Sequence, residues 1–229
     1  MRRSDLHLVR ALPLFGKMAP SHFDALMQAA LLQRFPPYVT LITEGDLPDF
    51  LHVIVEGTVE LFATHAGRET TIAVLDPVTT FILAAVIRDE VYLKSARTLA
   101  PSRILMIPAG AVRDIFGRDA NFARAVVAEL ASRYRGIVRT LKNQKLRTSA
   151  ERLAGWILLA DRRNGGSGRV RLAYEKRTLA ALLGMTAENL SRNLAILARH
   201  GVTTQGRDIA ITDRERLAQF ASPDALIDE

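Results

Sequence analysis

Apolar residues recur at helical spacing in two short segments between Lys176 and Leu197. The stripes consist of Leu179, Leu182 and Leu183 in the first segment and of Leu190, Leu194 and Leu197 in the second. Gly184 is predicted to end the first segment, because glycine takes a positive φ after a helix without a Cβ clash. Thr186 is the candidate N-cap of the second segment. The pattern therefore predicts two helices joined by a tight turn, the helix-turn-helix arrangement.

The stretch from Tyr38 to about Pro108 has a different pattern, in which short β-rich runs are separated by turn residues. The runs are VTLIT, FLHVIVEG, TVELFAT, TTIAVL and SRILMIP. Many short strands with close turns predict one compact domain, an antiparallel roll, barrel or sandwich. Residues 4–34 are predicted to form short helices, with Ser21 and Asp24 as a capping box, and Pro36-Pro37 stops them.

A long periodic segment runs from Phe122 to about Asn143, with Asp119 or Asn121 as its predicted N-cap. Its apolar residues at steps of three and four, the a and d positions of a heptad, are Val127, Leu130, Tyr134, Ile137 and Leu141. A second stripe includes Phe122 and Val126. A long helix needs both faces covered, so we expect the second stripe to contact the β domain and the heptad residues to contact another surface.

Charge is unevenly distributed along the chain, which carries a formal net charge of +7. The stretch from Lys145 to Arg207 holds 12 basic and 4 acidic residues, a net +8, so the remainder is close to neutral. A basic block that coincides with the predicted helix-turn-helix favours double-stranded DNA as the partner. A basic surface with no such partner is the alternative.

The chain contains no cysteine. Disulfides, thiolate zinc sites, Fe–S clusters and thiol-based redox sensing are therefore excluded. No signal-peptide pattern follows the first residues, and no stretch approaches the roughly 20 apolar residues that span a bilayer. We therefore expect a cytoplasmic protein with no membrane partner. The sequence also has no Ser/His/Asp, HExxH or P-loop motif, and we do not expect an enzyme.

The first turns of the second predicted helix carry side chains that suit base edges, namely Glu188, Asn189, Ser191 and Arg192. Arginine can bond guanine O6 and N7 together, glutamate can accept from cytosine N4, and asparagine or serine can bond several edges. A helix that enters the major groove would use such residues. The alternative is an ordinary pair of core helices with a solvated polar face.

A β-hairpin is predicted after the second helix, because residues alternate between Val202 and Thr212 around the turn Gln205-Gly206-Arg207-Asp208. This hairpin would form the wing of a winged helix-turn-helix domain. Arg199, His200 and Arg207 are placed to contact phosphates, with solvated surface charges as the alternative.

The β domain has a characteristic spacing of glycines and apolar residues. Gly45 is followed six residues later by Leu51 and twelve later by Gly57, and then by alternating Val59 and Leu61. This arrangement resembles the β-roll of the cyclic-nucleotide-binding domain. Together with the downstream helix-turn-helix, the chain resembles the Crp/Fnr family of bacterial transcription regulators over nearly its whole length.

The most specific part of the resemblance is Glu188, Ser191 and Arg192, which match the Glu-x-x-Ser-Arg of Fnr-type recognition helices. Ala187 stands where the cyclic-AMP receptor branch usually has another arginine. The resemblance implies that these residues read a TTGAT-like half-site, with Arg192 on guanine and Glu188 on the partner strand. Further candidates for DNA contacts are Thr186, Asn189, Arg199 and Arg207.

The resemblance also implies an α+β fold: an N-terminal cyclic-nucleotide-binding-like β-roll, a long dimerisation helix and a C-terminal winged helix-turn-helix. The expected domains are 1–118 for the β-roll sensor with its N-terminal helices, 119–144 for the helix, and 145–229 for DNA binding. The heptad residues would form the homodimer interface, so that paired recognition helices read a two-fold symmetric site. Residues 142–147 are the expected hinge, and RNA polymerase is the expected further partner.

The family's nucleotide pocket is degenerate in this sequence. It uses a Phe-x-Gly-Glu segment, whose Glu takes the ribose hydroxyl, and an Arg-Ser/Thr-Ala segment, whose Arg pairs with the cyclic phosphate. The corresponding residues, our candidate effector pocket, are Phe81, Leu83, Ala84, Lys94 and Ser95. Without the carboxylate and the bidentate guanidinium most of the polar capture is lost, so we do not expect cyclic AMP as the effector.

The effector itself stays open. One branch that the pattern resembles, the Dnr/NnrR-like regulators of denitrification, responds to nitric oxide and is associated with haem. A haem needs an axial ligand, and His7 and His52 are the candidates, with ordinary surface or core histidines as the alternative. Two other hypotheses remain: an effector-independent regulator controlled by its abundance, and a ligand-binding module that acts on a partner protein without DNA.

Overall fold

The computed structural model describes residues 3–228 of the chain. It contains two compact units, one up to Arg133 and the other from Tyr134 onward. That boundary lies within the long helix, and the three-part division at 118/119 and 144/145 stays a prediction. Residues 1, 2 and 229 of the expected domains lie outside the described residues. None of the described helices is both long and apolar enough to cross a membrane.

The first unit combines five helices with two antiparallel sheets. The helices are α1 (Arg3–Arg10), α2 (Pro13–Gly16), α3 (Pro20–Ala29), α4 (Leu83–Arg88) and α5 (Ala109–Arg118). The strands are β1 (Leu31–Phe35), β2 (Thr40–Ile42), β3 (Phe50–Glu56), β4 (Val59–His65), β5 (Arg68–Leu75), β6 (Thr79–Phe81), β7 (Ser95–Thr98) and β8 (Ser102–Pro108). The four-stranded sheets have the strand orders β1-β8-β3-β6 and β2-β7-β4-β5. This is the expected β-roll.

Strand β3 shows how the alternation of side chains divides the core of the first unit. Leu51, Val53 and Val55 face one side of the sheet, where they pack with the buried residues of the helices. Ile54 faces the other way, into the space between the two sheets, where Phe81 is also buried. The β-roll therefore has one core between its sheets and a second core under its helices.

Five of the eight strands fall in the predicted runs, which confirms β2, β3, β4, β5 and β8. The helix prediction for residues 31–34 is wrong, because these residues belong to β1, which pairs antiparallel with β8. The capping box at Ser21 is also wrong. Helix α3 begins at Pro20 with Ala19 as N-cap and no side-chain cap bond, since proline at the first helical position lacks only an N–H that would have no partner there.

The long helix α6 spans Ala120–Leu146, a little more than predicted. Asp119, one of the two predicted caps, fixes its start: the carboxylate accepts hydrogen bonds from the backbone N–H of Phe122 (2.9 Å) and of Ala19 (2.9 Å). It also lies 2.9 Å from Nδ1 of His22. Burial works to raise the pKa of Asp119, but these hydrogen bonds outweigh it and lower the pKa to about 2. The carboxylate thus stays ionised as it ties α3 to the start of α6.

The second unit contains the C-terminal part of α6, five further α-helices and a three-stranded sheet. The elements are α7 (Ser149–Arg163), β9 (Arg169–Arg171), α8 (Lys176–Leu182), α9 (Ala187–Leu197), a 3₁₀ turn (Ala198–His200), β10 (Val202–Gln205), β11 (Asp208–Ile211), α10 (Arg214–Ala221) and α11 (Ala225–Asp228). Strands β10 and β11 form the predicted hairpin, and β9 pairs with β11. Helices α7, α8, α9 and α10 share one apolar core with this sheet.

Candidate DNA-binding surface and effector cavity

The turn between α8 and α9 has the predicted chemistry. Gly184 has a φ of +64°, and its N–H donates to the carbonyl of Ala181 at 2.9 Å, which closes the end of α8. Thr186 then caps α9, because its hydroxyl oxygen accepts a hydrogen bond from the N–H of Asn189 at 3.2 Å. Leu190 is buried in the core of the unit, so the position of α9 is fixed by its apolar face.

The opposite face of α9 presents the predicted base-reading side chains. Glu188, Asn189, Ser191 and Arg192 are all exposed on its first two turns. The Ser191 hydroxyl donates back to the carbonyl of Ala187 at 3.1 Å, which leaves its oxygen lone pairs available as acceptors. The structure therefore brings an acidic, an amide, a hydroxyl and a basic group together on one surface.

Electrostatics at the start of α9 keep Glu188 ionised. Its own backbone N–H and the Thr186 hydroxyl bond the carboxylate, and Arg192 adds a favourable charge one turn away, so the pKa of Glu188 lies below its ordinary value. An ionised carboxylate only accepts hydrogen bonds, as a contact with the amino group of cytosine requires.

The predicted phosphate-contact residues divide into two kinds. Arg199 and Arg207 are exposed, Arg207 at the tip of the hairpin between β10 and β11. His200 is only partly exposed, and its ring centre lies 4.2 Å from that of Phe220. Its ring therefore packs the 3₁₀ turn against α10, and only part of the side chain is available for a phosphate contact.

Sequence reasoning missed two basic side chains on the edge strand of the wing sheet. Arg169 and Arg171 are exposed on either side of the buried Val170 in β9, and they line an open groove of about 910 Å³ together with Thr203 and Gln205. The signal was present in the sequence, since R-V-R is a strand alternation that places both arginines on the solvent side.

The five candidate effector-pocket residues do not form one site. Ala84 and Lys94 line a cavity of about 600 Å³ beside α4. Phe81 and Leu83 instead are buried in the two apolar cores, and the hydroxyl of buried Ser95 accepts a hydrogen bond from the backbone N–H of Glu44 at 2.9 Å. The prediction that all five surround a ligand therefore finds support only for Ala84 and Lys94, because strand and core packing use the other three.

The 600 Å³ cavity is mostly apolar. Its apolar lining comes from Leu47, Ile82, Ala84, Ala85, Val91 and Leu93. Three of its charged side chains are already paired: Arg88 with Glu90 at 2.5 Å, and Asp89 with Arg113 at 2.9 Å. Burial raises the pKa of Tyr92, with smaller effects of Asp49 and Asp46, to about 12, so the phenol remains neutral.

Lys94 is the remaining cation of the cavity. Burial, and to a lesser extent the nearby guanidinium of Arg133, lowers the pKa of Lys94 below its ordinary value. Arg133 extends from α6 to the edge of β6, where it donates to the carbonyl of Thr80 at 2.7 Å, and it pairs with Glu129 at 2.7 Å. The cavity is thus electrostatically linked to the long helix within the first unit.

The two candidate haem ligands do not line this cavity. His7 is exposed on α1. His52 is 2 % exposed between the sheets, with its ring centre 5.1 Å from that of Phe81, and its Nδ1 has no hydrogen-bond partner. Burial lowers the pKa of His52 to about 4, so the ring is neutral. The residues around the cavity therefore do not fit a histidine-bound haem, and haem ligation stays a prediction.

The heptad residues of α6 are exposed with one exception. Val127 in the first unit is 63 % exposed, and Tyr134, Ile137 and Leu141 in the second are 68 %, 66 % and 53 % exposed. Leu130 is partly buried, because it packs against the helix-covered core together with the buried Phe122 and Val126. The predicted second stripe is confirmed, and four heptad residues are left available for a partner.

Comparison with known proteins finds one family match in each of the two units. The family described as "Cyclic nucleotide-binding domain" matches residues 32–119, and "Crp-like helix-turn-helix domain" matches residues 151–220. The "CRP-like cAMP-activated global transcriptional regulator" of Mycobacterium tuberculosis is 27 % identical over 214 residues, 91 % of this chain and 96 % of that protein. The "Cyclic AMP receptor protein" of Thermus thermophilus is 28 % identical over 195 residues, 85 % of this chain and 89 % of that protein.

A solved structure shares the fold. The structure of FixK2 from Bradyrhizobium japonicum has a TM-score of 0.75 and 22 % sequence identity, and the match covers 86 % of this chain and 99 % of that one. The β-roll, the long helix and the helix-turn-helix occur here in the order that the resemblance implied. The chain belongs to the Crp/Fnr family and is a DNA-binding transcription regulator of that type.

Proposed function

We propose that this chain is a homodimeric, sequence-specific regulator that reads a TTGAT-like inverted repeat with α9 of each protomer. The observation that carries this proposal is the exposed cluster Glu188, Ser191 and Arg192 on the first turns of a helix whose start is fixed by Thr186. In the helix-turn-helix geometry it is the N-terminal part of the second helix that contacts base edges.

Each side chain has a distinct role in the proposed complex. Arg192 donates to O6 and N7 of the guanine in the half-site, and Glu188 accepts from the amino group of a cytosine on the partner strand. Ser191 and Asn189 bond neighbouring base edges. Each good base contact contributes about 1–3 kcal/mol of discrimination. Exposed Arg199 and Arg207 contact the phosphates. Such contacts strengthen binding but carry no information about the base sequence.

Dimerisation through α6 supports this reading of DNA. The exposed apolar side chains of Val127, Tyr134, Ile137 and Leu141 recur at heptad spacing, and a second copy of the helix would bury them. Two recognition helices about one DNA turn apart then read the two halves of an inverted repeat.

We further propose that an effector other than cyclic AMP gates DNA binding. Ala84 stands where the family's ribose-binding carboxylate would be, and Lys94 stands where its guanidinium would be. The effector would act through α6 and the hinge at residues 142–147. A nitric-oxide response through haem, a place in denitrification, and contact with RNA polymerase stay predictions from the resemblance. We expect the protein to act in the cytoplasm, together with its DNA.

The proposal is tested by titrating the purified protein onto a TTGAT-N4-ATCAA duplex and onto a scrambled duplex of the same composition. We expect at least about a thousandfold preference for the first duplex, which is the lower end of specific recognition at physiological salt. Equal binding would refute the assignment of α9 as a base-reading helix. No DNA binding in any state would instead favour a module that acts on a partner protein.

A further inference from the structure

The cavity beside α4 has the size and lining of a small-molecule site. About 600 Å³ lies within the range of ligand pockets, roughly 300–1,000 Å³. Three of its apolar side chains are exposed to an unusual degree: Leu93 by 82 %, Leu47 by 63 % and Val91 by 44 %. A ligand with an apolar body would cover them and remove this surface from water.

The polar side chains of the cavity leave one charge to be matched. Arg88 and Glu90 satisfy each other, and Asp89 pairs with Arg113. Lys94 also lines the cavity, and no carboxylate among residues 3–228 lies within ion-pair distance of it. A partly buried ammonium next to apolar side chains is a site for one anionic group.

The same residues argue against a nucleotide. Recognition of a ribose needs a free carboxylate or comparable acceptor, yet Ala84 offers none and the lining carboxylates of Asp89 and Glu90 are paired. Leu83 points into the helix-covered core and takes no part in the cavity. A ligand with a large polar surface would leave its hydroxyl groups without partners, which costs affinity.

We propose that this cavity binds a small apolar carboxylate, with its carboxylate on Nζ of Lys94 and its hydrocarbon against Leu47, Val91 and Leu93. The role of this ligand as an effector rests on the proposed function, because only a regulator has an effector. Binding itself is a property of the first unit, and it is measured without DNA.

The experiment is isothermal titration of the full chain with sodium octanoate, with n-octanol as the neutral probe of the same chain length, and with cyclic AMP as competitor. We expect octanoate to bind at least about tenfold more tightly than octanol, because only its carboxylate can form a charge-assisted hydrogen bond with Lys94 in this partly buried site. Cyclic AMP at the same concentration should not displace it. Equal affinity for octanoate and octanol, or displacement by cyclic AMP, would overturn the proposal.

Two variants and one control locate the site. Lys94→Gln should weaken octanoate binding by about tenfold and change octanol binding by less than about twofold, because only the charge contact is lost. Leu93→Asp, at a position that is 82 % exposed and so not needed for folding, should weaken both probes. Lys17→Gln, a matched exposed lysine away from the cavity, should change neither. If both cavity variants bind octanoate with wild-type affinity, the ligand binds elsewhere and the proposal is refuted. This outcome does not depend on whether the protein binds DNA.

Discussion

Arg192 and Arg199 allow base reading to be separated from phosphate attraction at the scale of single residues. Both are exposed arginines, one on the first turns of α9 and the other just after its end. We expect Arg192→Ala to weaken binding to the TTGAT duplex by about tenfold to a hundredfold per half-site, since one bidentate contact is worth about 1–3 kcal/mol. Binding to the scrambled duplex should change far less.

Arg199→Ala is the matched control for this prediction. Loss of a phosphate contact should weaken binding to both duplexes by a similar factor and reduce the salt dependence of binding by about one counterion per protomer. Fluorescence anisotropy at several salt concentrations measures both effects. If the two variants behave alike on both duplexes, Arg192 contacts phosphate and reads no base.

Some properties of single residues follow from the local sequence, and others depend on contacts with distant parts of the chain. The cap at Thr186 and the positive φ of Gly184 were predictable, because both follow from local backbone chemistry. The hydrogen bond of the Ser95 hydroxyl could not be predicted from the local sequence. This hydroxyl is used by the backbone of Glu44, 51 positions away in the chain, and no local pattern reveals such a contact.

The apolar side chains of α6 give a prediction at the scale of the element. Ile137 is 66 % exposed in the protomer, so Ile137→Glu should leave the protomer folded and dissociate the dimer, because a charge at a d position would be buried in the interface. Light scattering during gel filtration should report a monomer near micromolar concentrations, and binding to the inverted repeat should fall with it.

Ala128→Glu adds the same residue to the same helix, at an exposed position away from the heptad residues. This variant should remain a dimer with an unchanged unfolding midpoint. A dimer that survives Ile137→Glu would mean that the copies meet through another surface and that the exposed heptad residues have a different partner.

Among the elements, those that carry their own periodicity were predictable and those that depend on distant pairing were not. The helix-turn-helix, the wing and α6 each show a repeat within one segment. Strand β1 (LLQRF) has no regular alternation, and it forms because it pairs with β8, whose residues lie 67 to 75 positions later in the chain. Strands β6 and β7 have only three and four residues, too few to establish a period.

At the scale of the whole molecule, basic charge is concentrated where the reading helix lies, and the apolar cavity lies in the other unit. The net charge of +8 between Lys145 and Arg207 explains attraction to DNA of any sequence. The cavity can influence DNA only if the two units share an equilibrium between two states. Arg133 is the side chain best placed to report occupancy of the cavity to α6, because it acts on Lys94 and bonds the carbonyl of Thr80.

An effector that gates DNA binding must obey reciprocity. The factor by which octanoate changes the dissociation constant for the TTGAT duplex must equal the factor by which that duplex changes the dissociation constant for octanoate. We expect a factor between about 5 and 150, the ordinary range for allosteric coupling. Both are measurable by titrating each ligand at saturating concentrations of the other, with the scrambled duplex as the control for ionic effects.

Arg133→Gln should bring this coupling factor close to 1, whatever it does to the affinity for octanoate, because the guanidinium contacts to Thr80 and Glu129 are lost. Arg124→Gln, at an exposed arginine of the same helix whose guanidinium donates to the side-chain oxygen of Asn121 at 3.1 Å, should leave the factor unchanged. A wild-type factor of 1 with intact binding of both ligands would identify a regulator controlled by its abundance, in which the cavity binds without signalling. A factor that survives Arg133→Gln would mean that the signal reaches α6 through the packing of Leu130 and its neighbours, which would then carry the two-state change.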